Sequence, residues 1–411
     1  MYKFKKDIMK VPCYVWSEKG SIEQGAIDQI KNASTLPFVF HHTALMADAH
    51  RGYGVSIGSV VALKNVVCPS MVGVDIGCGM CAVKTSLTKI DPKTLKKIIK
   101  EIKKVIPTGY KKHEEEQSTK LMPLPRDIKY MSHKKQPSSY KYPIVHAEYN
   151  NALMSLGTLG GGNHFIEIQE GSDNHIWVMI HSGSRNLGFK VANYYNKLAV
   201  ELNKKWHSKV LKEWELAFLP LDSEEGQDYL REMNYCIDFA FANRKVMMDK
   251  VKDIFNNTKL KDKNGKSCYG VDFEPMINIP HNYAQIENHF EENVMVHRKG
   301  ATQAYLTQKG IIPGSQGTKS YIVQGRGNQE SFESCSHGAG RKISRKKAIE
   351  TLDLNTEIKK LDEQGIIHNI KNKKQLDEAM SCYKDINEVI KNQKDLIEVL
   401  IELTPLGVIK G

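Results

Sequence analysis

The sequence lacks any apolar run that approaches the roughly 18 residues needed to cross a bilayer, which disfavours a membrane-spanning protein. No apolar stretch follows the basic start Met1-Tyr-Lys-Phe-Lys-Lys-Asp7, so no secretory signal is visible and we expect a cytoplasmic protein. Internal repeats and long low-complexity linkers are also missing from the 411 residues. These absences indicate a globular protein with one large or two ordinary domains.

Cysteine is scarce and irregularly placed. The eight cysteines form no regular framework of the kind that disulfide-rich secreted proteins have. Cys78-Gly-Met-Cys81 is the single CxxC pair. Without a second pair it is weak evidence for a zinc knuckle, and without a helix pattern after Cys78 it is weak evidence for a redox motif.

Positive charge, in contrast, is plentiful. The formal net charge is +12 and the pI is about 9.1, while hydrophobic residues make up 40% and charged residues 26% of the chain. Such a composition is typical of a globular protein that is attracted to polyanions, of which nucleic acid is the commonest. Many basic proteins bind no nucleic acid, so charge alone does not decide the partner.

Apolar spacing predicts both helices and strands. Asp91 and Pro92 are typical of a helix start, and an apolar face follows them. That face comprises Leu95, Ile98, Ile99, Ile102 and Val105. Two further helices are predicted over Gln227–Phe255 and Ile386–Leu403, and strands over Ser59–Leu63, Val72–Asp75, His164–Ile168, Ile176–His181 and Ser320–Val323. Because helices and strands do not alternate regularly, we expect an α+β fold with an exposed insertion near 109–142.

Several turn-rich segments carry potential metal ligands. Asp75 and Cys78 are close enough for one tight turn to present both, and a thiolate can bridge two cations. His164, His181 and His281 come from separate segments, each beside glycine or another turn residue. Together they predict a site for two divalent ions with open positions, suited to Zn²⁺, Mn²⁺, Fe²⁺ or Co²⁺. Taken singly, each has an ordinary alternative: a turn-capping carboxylate, a buried thiol, or a hydrogen-bonded histidine.

His337 lies in Ser336-His-Gly-Ala-Gly-Arg341, ahead of the basic run that begins at Arg345. A neutral imidazole can attack an α-phosphate, and the two arginines can offset phosphate charge. The alternative is a loop at a helix start whose histidine caps the backbone. A second small-residue loop, Pro313–Ser320, could cradle a base or phosphates, but it is not a Walker A motif.

In this order, the segments resemble the RtcB family of 3′-phosphate RNA-splicing ligases. The likeness covers nearly the whole chain. It runs through Leu45–His50, Gly73–Gly79, Gly157–Glu167, His181–Gly188, His281–Tyr283, Arg298–Gly300, Pro313–Ser320, Ser336–Arg345 and Val408–Gly411. Some positions depart from the usual family pattern, among them Ala47, Pro280 and Gln316, but no predicted ligand and no predicted nucleophile is lost.

The resemblance implies a single α+β domain over residues 1–411 with a deep basic cleft, and it implies GTP and two Mn²⁺ ions as cofactors. His337 would accept GMP, and Asp75, Cys78, His164, His181 and His281 would hold the metals with Cys78 between them. Guanylate contacts would fall on Asn163, His164, Phe165, Ile166, Glu167, His281, Asn282, Pro313, Gly314, Ser315, Gln316, Ser320, His337, Gly338, Ala339, Gly340 and Lys410. Arg185, Arg341 and Arg345 are candidates for holding RNA phosphates.

The implied reaction joins an RNA 3′-phosphate or 2′,3′-cyclic phosphate end to a 5′-hydroxyl end through guanylylated His337 and an RNA(3′)pp(5′)G intermediate. We expect a monomer, with an activating protein as a candidate partner and no membrane partner. Two rival functions are a two-metal phosphohydrolase or nuclease and a non-catalytic RNA-binding repair factor. Simple hydrolysis gives His337 and the Pro313–Ser320 loop no role, and a non-catalytic factor would be expected to lose ligands, none of which is lost here.

Overall fold

Two large β-sheets organise the part of the chain that the computed structural model describes, which is residues 1–132, 136–261 and 267–411. The first sheet has the strand order β1-β2-β3-β4-β14-β13 and the second has the order β12-β6-β8-β7-β19-β17-β16. Only the β2–β3 pairing is parallel among these neighbours. The strands are β1 Tyr2–Phe4, β2 Cys13–Val15, β3 Val39–His50, β4 Ile57–Leu63, β5 Val66–Val67, β6 Gly79–Lys84, β7 Phe165–Gly171, β8 Ile176–Ser182, β9 Leu219–Pro220, β10 Leu260–Lys261, β11 Ser267–Cys268, β12 Ile277–Pro280, β13 Asn282–His289, β14 Glu292–Lys299, β15 Ala301–Gln303, β16 Lys309–Ile312, β17 Ser320–Gly325, β18 Ser334–Ser336 and β19 Ile397–Lys410.

Helices pack against these sheets and confirm the predicted α+β class. They are α1 Gln24–Ser34, α2 Pro92–Val105, α3 Pro143–Ser155, α4 Arg185–Lys205, α5 Glu224–Asn256, α6 Arg345–Thr351, α7 Leu354–Asp362 and α8 Ile386–Lys391. At the start of α2 the Asp91 carboxylate accepts hydrogen bonds from the Lys93 and Thr94 amides, as its sequence predicts. Within the described ranges, no helix combines the length and the apolar character needed to cross a membrane.

Two predicted elements are wrong. Residues 72–75 form a turn after the short 3₁₀ helix Pro69–Met71, where glycine at 73 adopts a positive φ of 92°. The predicted helix Ile386–Leu403 ends at Lys391, and the chain then enters β19. From Ile397 onward the residues pair with β17 and β7, so strand pairing overrides the helical spacing.

The predicted insertion near 109–142 is partly described. Residues 133–135 lie outside the described ranges. The remainder includes the 3₁₀ turns Thr119–Leu121 and Ile128–Tyr130, and the side chains of Met122 and Tyr142 are buried in a core cluster with α3, α4 and α5.

One edge of the seven-stranded sheet gathers the ends of four strands. Gly79, at the start of β6, pairs with Pro280 at the end of β12 and with Ser182 at the end of β8. Phe165, at the start of β7, pairs with His181 on β8. Antiparallel register therefore brings the residues just outside β6, β7 and β12 next to the end of β8.

Candidate active site and metal centre

The five predicted metal ligands meet at this strand edge. The Cys78 Sγ lies 3.4 Å from His164 Nε2 and 3.3 Å from His181 Nε2. His164 Nε2 is 3.1 Å from the Asp75 carboxylate, and His181 Nε2 is 3.4 Å from His281 Nε2. Residues more than 200 positions apart in sequence thus form one continuous row of donor atoms.

Within this row, two groups have the spacing of a metal site. Cys78, His181 and His281 form one, and Asp75, Cys78 and His164 form the other, with the ligand atoms of each group within 4.8 Å of one another. Cys78 belongs to both groups. The arrangement fits two neighbouring divalent ions that share a thiolate, with three protein donors for each.

Backbone carbonyls orient two of the imidazoles toward the cluster. The Nδ1 of His164 lies 2.9 Å from the carbonyl oxygen of Leu159, and the Nδ1 of His181 lies 3.1 Å from that of Asn163. A proton on each Nδ1 would be donated to these carbonyls, which leaves the Nε2 lone pairs facing the other ligands. Fixing the tautomer in this way is the usual support for metal-binding histidines.

Burial sets the charge states of these donors. It lowers the pKa of His181 and of His281 well below the ordinary histidine value, so both imidazoles are neutral, as metal ligands must be. Burial and the neighbouring Asp75 carboxylate raise the pKa of the Cys78 thiol well above its usual range. A thiolate at this position therefore needs a strong compensating positive charge, which divalent cations would supply.

Helix α5 fixes the loops that carry the ligands. The fully buried Arg244 guanidinium donates to the carbonyls of Gly77 and Ser182, each at 2.9 Å, and to the Asn278 side chain on β12. Asn243 accepts hydrogen bonds from the Gly157 and Thr158 amides and donates to Gly183 O. Neither residue could be singled out from the sequence, because both lie within an ordinary helical pattern.

His337 lies beside the last imidazole of the row. Its ring centroid is 4.8 Å from that of His281, and its Nδ1 is 2.6 Å from the Asp48 carboxylate on β3. The same Asp48 oxygen accepts hydrogen bonds from the backbone amides of His337 and Gly338, both at 3.2 Å. Asp48 therefore fixes both the ring and the loop of His337, with the imidazole Nε2 left as the atom that can react.

Asp48 is a residue of the candidate site to which the sequence assigned no role. It is fully buried, and although burial raises its pKa, the charge and hydrogen bond of His337 bring the pKa below the ordinary value. A carboxylate near the end of the largely buried strand β3, after the apolar run Ala44–Ala47, was the available signal. Gly340, with a φ of 73°, packs against the Asp48 backbone so closely that a Cβ there would collide with it.

A cavity next to His337, here called the His337 cavity, holds most of the predicted guanylate contacts. Its lining includes Asn163, Phe165, Glu167, Pro313, Gly314, Ser315, Gln316, His337, Gly338, Ala339, Gly340 and Lys410. Its lining also contains His50, His181, Arg341, Arg345, Glu378 and Tyr383. Two loops distant in sequence, at 313–316 and 337–340, thus form one concave surface beside the metal cluster.

The other predicted guanylate contacts lie outside that lining. Ile166 points to the opposite face of its sheet and is buried in a separate core cluster, because strand side chains alternate between faces. Asn282 accepts from the Gly300 amide and donates to the Asp75 carbonyl. Ser320 accepts from the Gly314 amide at 3.1 Å. His164 and His281 belong to the metal cluster.

Glu167 and Lys410 both line the His337 cavity, and burial works against the charged form of each. Burial raises the pKa of Glu167 to about 8, although the nearby Lys410 ammonium acts against this. Burial also lowers the pKa of Lys410, against the pull of Glu378 and Glu167. A buried carboxyl group that gains and loses its proton near neutral pH can donate a hydrogen bond to the edge of a base when protonated and accept one from it when ionised.

The three predicted phosphate-binding arginines differ in their surroundings. Arg185 begins α4, and its guanidinium lies beside Thr158 and His164. Arg341 and Arg345 both pair with the buried carboxylate of Glu378, at 2.9 and 2.6 Å. The Arg345 side chain nevertheless remains 52% exposed, whereas Arg341 also donates to the Asp377 carbonyl.

The sequence of this chain is similar to those of known proteins over almost its whole length. The family described as tRNA-splicing ligase RtcB matches residues 29–411. The RNA-splicing ligase RtcB of Escherichia coli (strain K12) is 37% identical over 406 residues, which cover 97% of both chains. The tRNA-splicing ligase RtcB of Methanococcus maripaludis is 31% identical, over 99% of this chain and 96% of its own. RNA-splicing ligase RtcB homolog 1 of Entamoeba dispar is 33% identical, over 94% of this chain and 82% of its own. These matches, spanning nearly the whole length of the chain and of its relatives, establish that it belongs to the RtcB family.

Proposed function

We propose that this protein is a GTP- and Mn²⁺-dependent RNA ligase that joins an RNA 3′-phosphate or 2′,3′-cyclic phosphate end to a 5′-hydroxyl end. The observation that carries the proposal is the position of His337. Its ring lies 4.8 Å from that of the cluster residue His281, while Asp48 holds its Nδ1. A histidine nucleophile, a lined cavity and a two-ion ligand set are therefore in contact, as the reaction requires.

The donor set fits two divalent cations. Asp75, Cys78 and His164 would hold one ion, and Cys78, His181 and His281 would hold the other. The mixture of carboxylate, thiolate and imidazole donors suits Mn²⁺ among other ions, and the family resemblance is what selects Mn²⁺ and GTP. When bound, the ions would neutralise the charge of phosphate groups placed beside His337.

The first step proposed for the chain is the loading of His337. Asp48 accepts a hydrogen bond from the Nδ1–H group, so the lone pair on Nε2 is the nucleophile. Attack of Nε2 on the α-phosphorus of GTP forms a P–N bond and releases pyrophosphate. The imidazole gains positive charge in this step, and the Asp48 carboxylate stabilises that charge. The guanylate would lie in the His337 cavity, with Glu167 facing its base.

The second and third steps transfer the guanylate and seal the strand. An oxygen of the RNA 3′-phosphate attacks the phosphorus on His337, the P–N bond breaks, and RNA(3′)pp(5′)G forms. The 5′-hydroxyl oxygen of the other strand then attacks the 3′-phosphorus and displaces GMP. A 2′,3′-cyclic phosphate would first be hydrolysed to a 3′-phosphate. Alignment and charge neutralisation supply most of the acceleration in such phosphoryl transfers.

A two-metal nuclease would use the same metal ligands, but it would not need the contact between Asp48 and His337. That pair of residues, together with the lined cavity, favours the ligase. The cytoplasmic location and the monomeric state remain predictions from the sequence.

Labelled GTP provides the test. Incubation with Mn²⁺ and [α-³²P]GTP should give a protein adduct that is labile in acid and stable in alkali, as a phosphoramidate is. His337→Asn should abolish the adduct, while His207→Asn, the same change at an exposed histidine, should preserve it. An RNA with 3′-phosphate and 5′-hydroxyl ends should be sealed only by the protein that forms the adduct. RNA cleavage without any adduct would favour the nuclease instead.

A further inference from the structure

A second cavity reaches the ligand cluster and shares no lining residue with the His337 cavity. Its volume is about 350 Å³, and Asp75 and His164 lie in its lining. The His337 cavity, in contrast, contacts the row of ligands at His181. Two recesses therefore reach different members of the ligand row, and only one of them is used by the guanylate in the proposed reaction. We call the other the strand cavity.

The strand cavity is electropositive. Lys111, Lys112 and Arg185 line it, and Asp75 is the single acidic side chain among the described residues that do so. Lys112 donates a hydrogen bond to the neutral amide of Asn151 at 3.1 Å, so this contact does not cancel its charge. Arg185 also stands at the first position of the 21-residue helix α4, where the helix dipole adds positive potential. These groups favour a phosphate-bearing ligand.

Two aromatic side chains stand exposed at the same cavity. Tyr110 is fully exposed, at 105% of its reference area, and Phe189 is 47% exposed. They come from separate parts of the chain and line one recess together with the cationic side chains. Proteins that bind single-stranded nucleic acids combine aromatic side chains with lysines and arginines, since the bases stack on the aromatic faces and the phosphates pair with the cations.

Backbone contacts hold the Tyr110 loop at a fixed position relative to the ligands. The Gly109 amide donates to the Gly160 carbonyl at 2.7 Å, and Thr108 forms a parallel bridge with the same residue. Further along, the His113 amide donates to the Met154 carbonyl at 3.0 Å. The segment at Gly160 leads directly into the ligand His164. Tyr110 is therefore tied to the loop that positions a metal ligand.

We propose that the strand cavity binds the last nucleotides of the RNA strand that bears the 3′-phosphate. Tyr110 and Phe189 stack on bases, and Lys111 and Lys112 contact the phosphates behind the terminus. This inference rests on the proposed ligase function, which it deepens by assigning one substrate strand to one recess. The 3′-phosphate strand is the better occupant because its terminus carries up to two negative charges, whereas a 5′-hydroxyl terminus carries none.

Binding of short RNAs tests this assignment separately from catalysis. The probe is a fluorescent single-stranded RNA octamer ending in a 3′-phosphate, titrated with the full chain in Mn²⁺ at fixed salt. Tyr110→Ala and Phe189→Ala should each weaken its binding about tenfold, the size of one lost base–aromatic stack. Lys111→Gln with Lys112→Gln should weaken binding and reduce its salt dependence. A control octamer has a 5′-hydroxyl end and a blocked 3′-hydroxyl. Its dissociation constant should differ little between the wild-type protein and these variants.

The matched control is Tyr269→Ala. Tyr269 is also exposed, at 68%, but it lies near Phe273, which bridges to Thr85 beyond the far end of β6. This change should not alter the dissociation constant. Three results would each overturn the assignment of the strand cavity. They are an equal loss of affinity in the control, an unchanged dissociation constant for Tyr110→Ala and Phe189→Ala, and a loss of affinity confined to the 5′-hydroxyl RNA.

The GTP adduct separates the two proposals. A wild-type protein that forms the adduct, with octamer binding insensitive to Tyr110 and Phe189, would refute the strand cavity and leave the ligase standing. A wild-type protein that forms no adduct would refute the ligase. Adduct formation by Tyr110→Ala would show in addition that the variant is folded, because that partial reaction involves no RNA.

Discussion

Replacing Asp48 by asparagine tests the link between the buried carboxylate and His337. One oxygen of Asp48 accepts from His337 Nδ1 at 2.6 Å and from the His337 and Gly338 amides, both at 3.2 Å. Because three donors converge on this oxygen, the amide oxygen of asparagine should take its place. The ring would then keep its tautomer and position, but it would lose the negative charge beside it.

The magnitude follows from that lost charge. A hydrogen bond to a charged partner contributes about 1.5–3 kcal/mol, and His337 becomes positive as the P–N bond forms. We therefore expect the rate of adduct formation to fall about 10- to 150-fold in Asp48→Asn. The other Asp48 oxygen has no hydrogen-bond partner among the described residues, so the new NH₂ group would be buried unpaired. Its desolvation should lower stability by about 1–3 kcal/mol.

Single-turnover kinetics with [α-³²P]GTP measure the rate, and thermal unfolding measures the stability. Metal content should stay at the wild-type value in Asp48→Asn, since Asp48 is outside both ligand groups. Asp28→Asn, the same change at an exposed helix carboxylate, should alter neither quantity. If folded, metal-loaded Asp48→Asn forms the adduct at the wild-type rate, the carboxylate does not assist His337.

Two further predictions follow from the site and the core. Cys78→Ala removes the donor common to both ligand groups, so we expect loss of both metal ions and of the GTP adduct. Cys81→Ala, on β6 but outside both groups, should keep the ions and the adduct. If elemental analysis finds two ions in Cys78→Ala, the metal assignment is wrong. Burial lowers the pKa of His42 and of His297 to about 4, so the unfolded chain takes up protons below pH 6.5 where the folded chain does not. The contribution of these two histidines to stability is present above pH 6.5 and is lost as the pH falls toward 4. In urea unfolding, the free energy of unfolding should be about 1 kcal/mol lower per histidine at pH 5.5 than at pH 7.5. Equal stability at both pH values would contradict the reasoning.

Local patterns predicted the elements whose own residues decide their structure. Helix α2 has its cap at Asp91 and buries Leu95, Ile98, Ile99 and Ile102, as its spacing indicates. The segment after Lys391 shows where such reasoning fails. Its apolar residues fit a helix, yet β7 and β17 lie on either side of it and complete their hydrogen bonding through β19. Long-range pairing of this kind leaves no mark in a short window of sequence.

The ligand types could be predicted from sequence, but their convergence could not. Glycine and turn residues beside Cys78, His164, His181 and His281 indicated a site, and the family resemblance united them. What brings them together is the register of four strands at one sheet edge, with Gly79 opposite both Pro280 and Ser182. Arg244 then fixes that edge from behind by binding the carbonyls of Gly77 and Ser182. Neither register nor this contact is encoded in any motif.

The proposed nucleophile comes from a different part of the fold. His337 follows β18, which pairs only with β15 among the described strands, and Asp48 lies on β3 of the six-stranded sheet. The junction with the metal cluster is short: the Ala301 amide donates to the His281 carbonyl at 3.3 Å, and Ala301 pairs with Ser336, the residue before His337. Strand β14 ends at Lys299, whose ammonium is anchored to the carbonyls of Tyr53 and Ser70. The distance between His337 and the ligand cluster is thus set by the β14–β15 turn, so a change in that turn should impair adduct formation while both ligand groups remain complete.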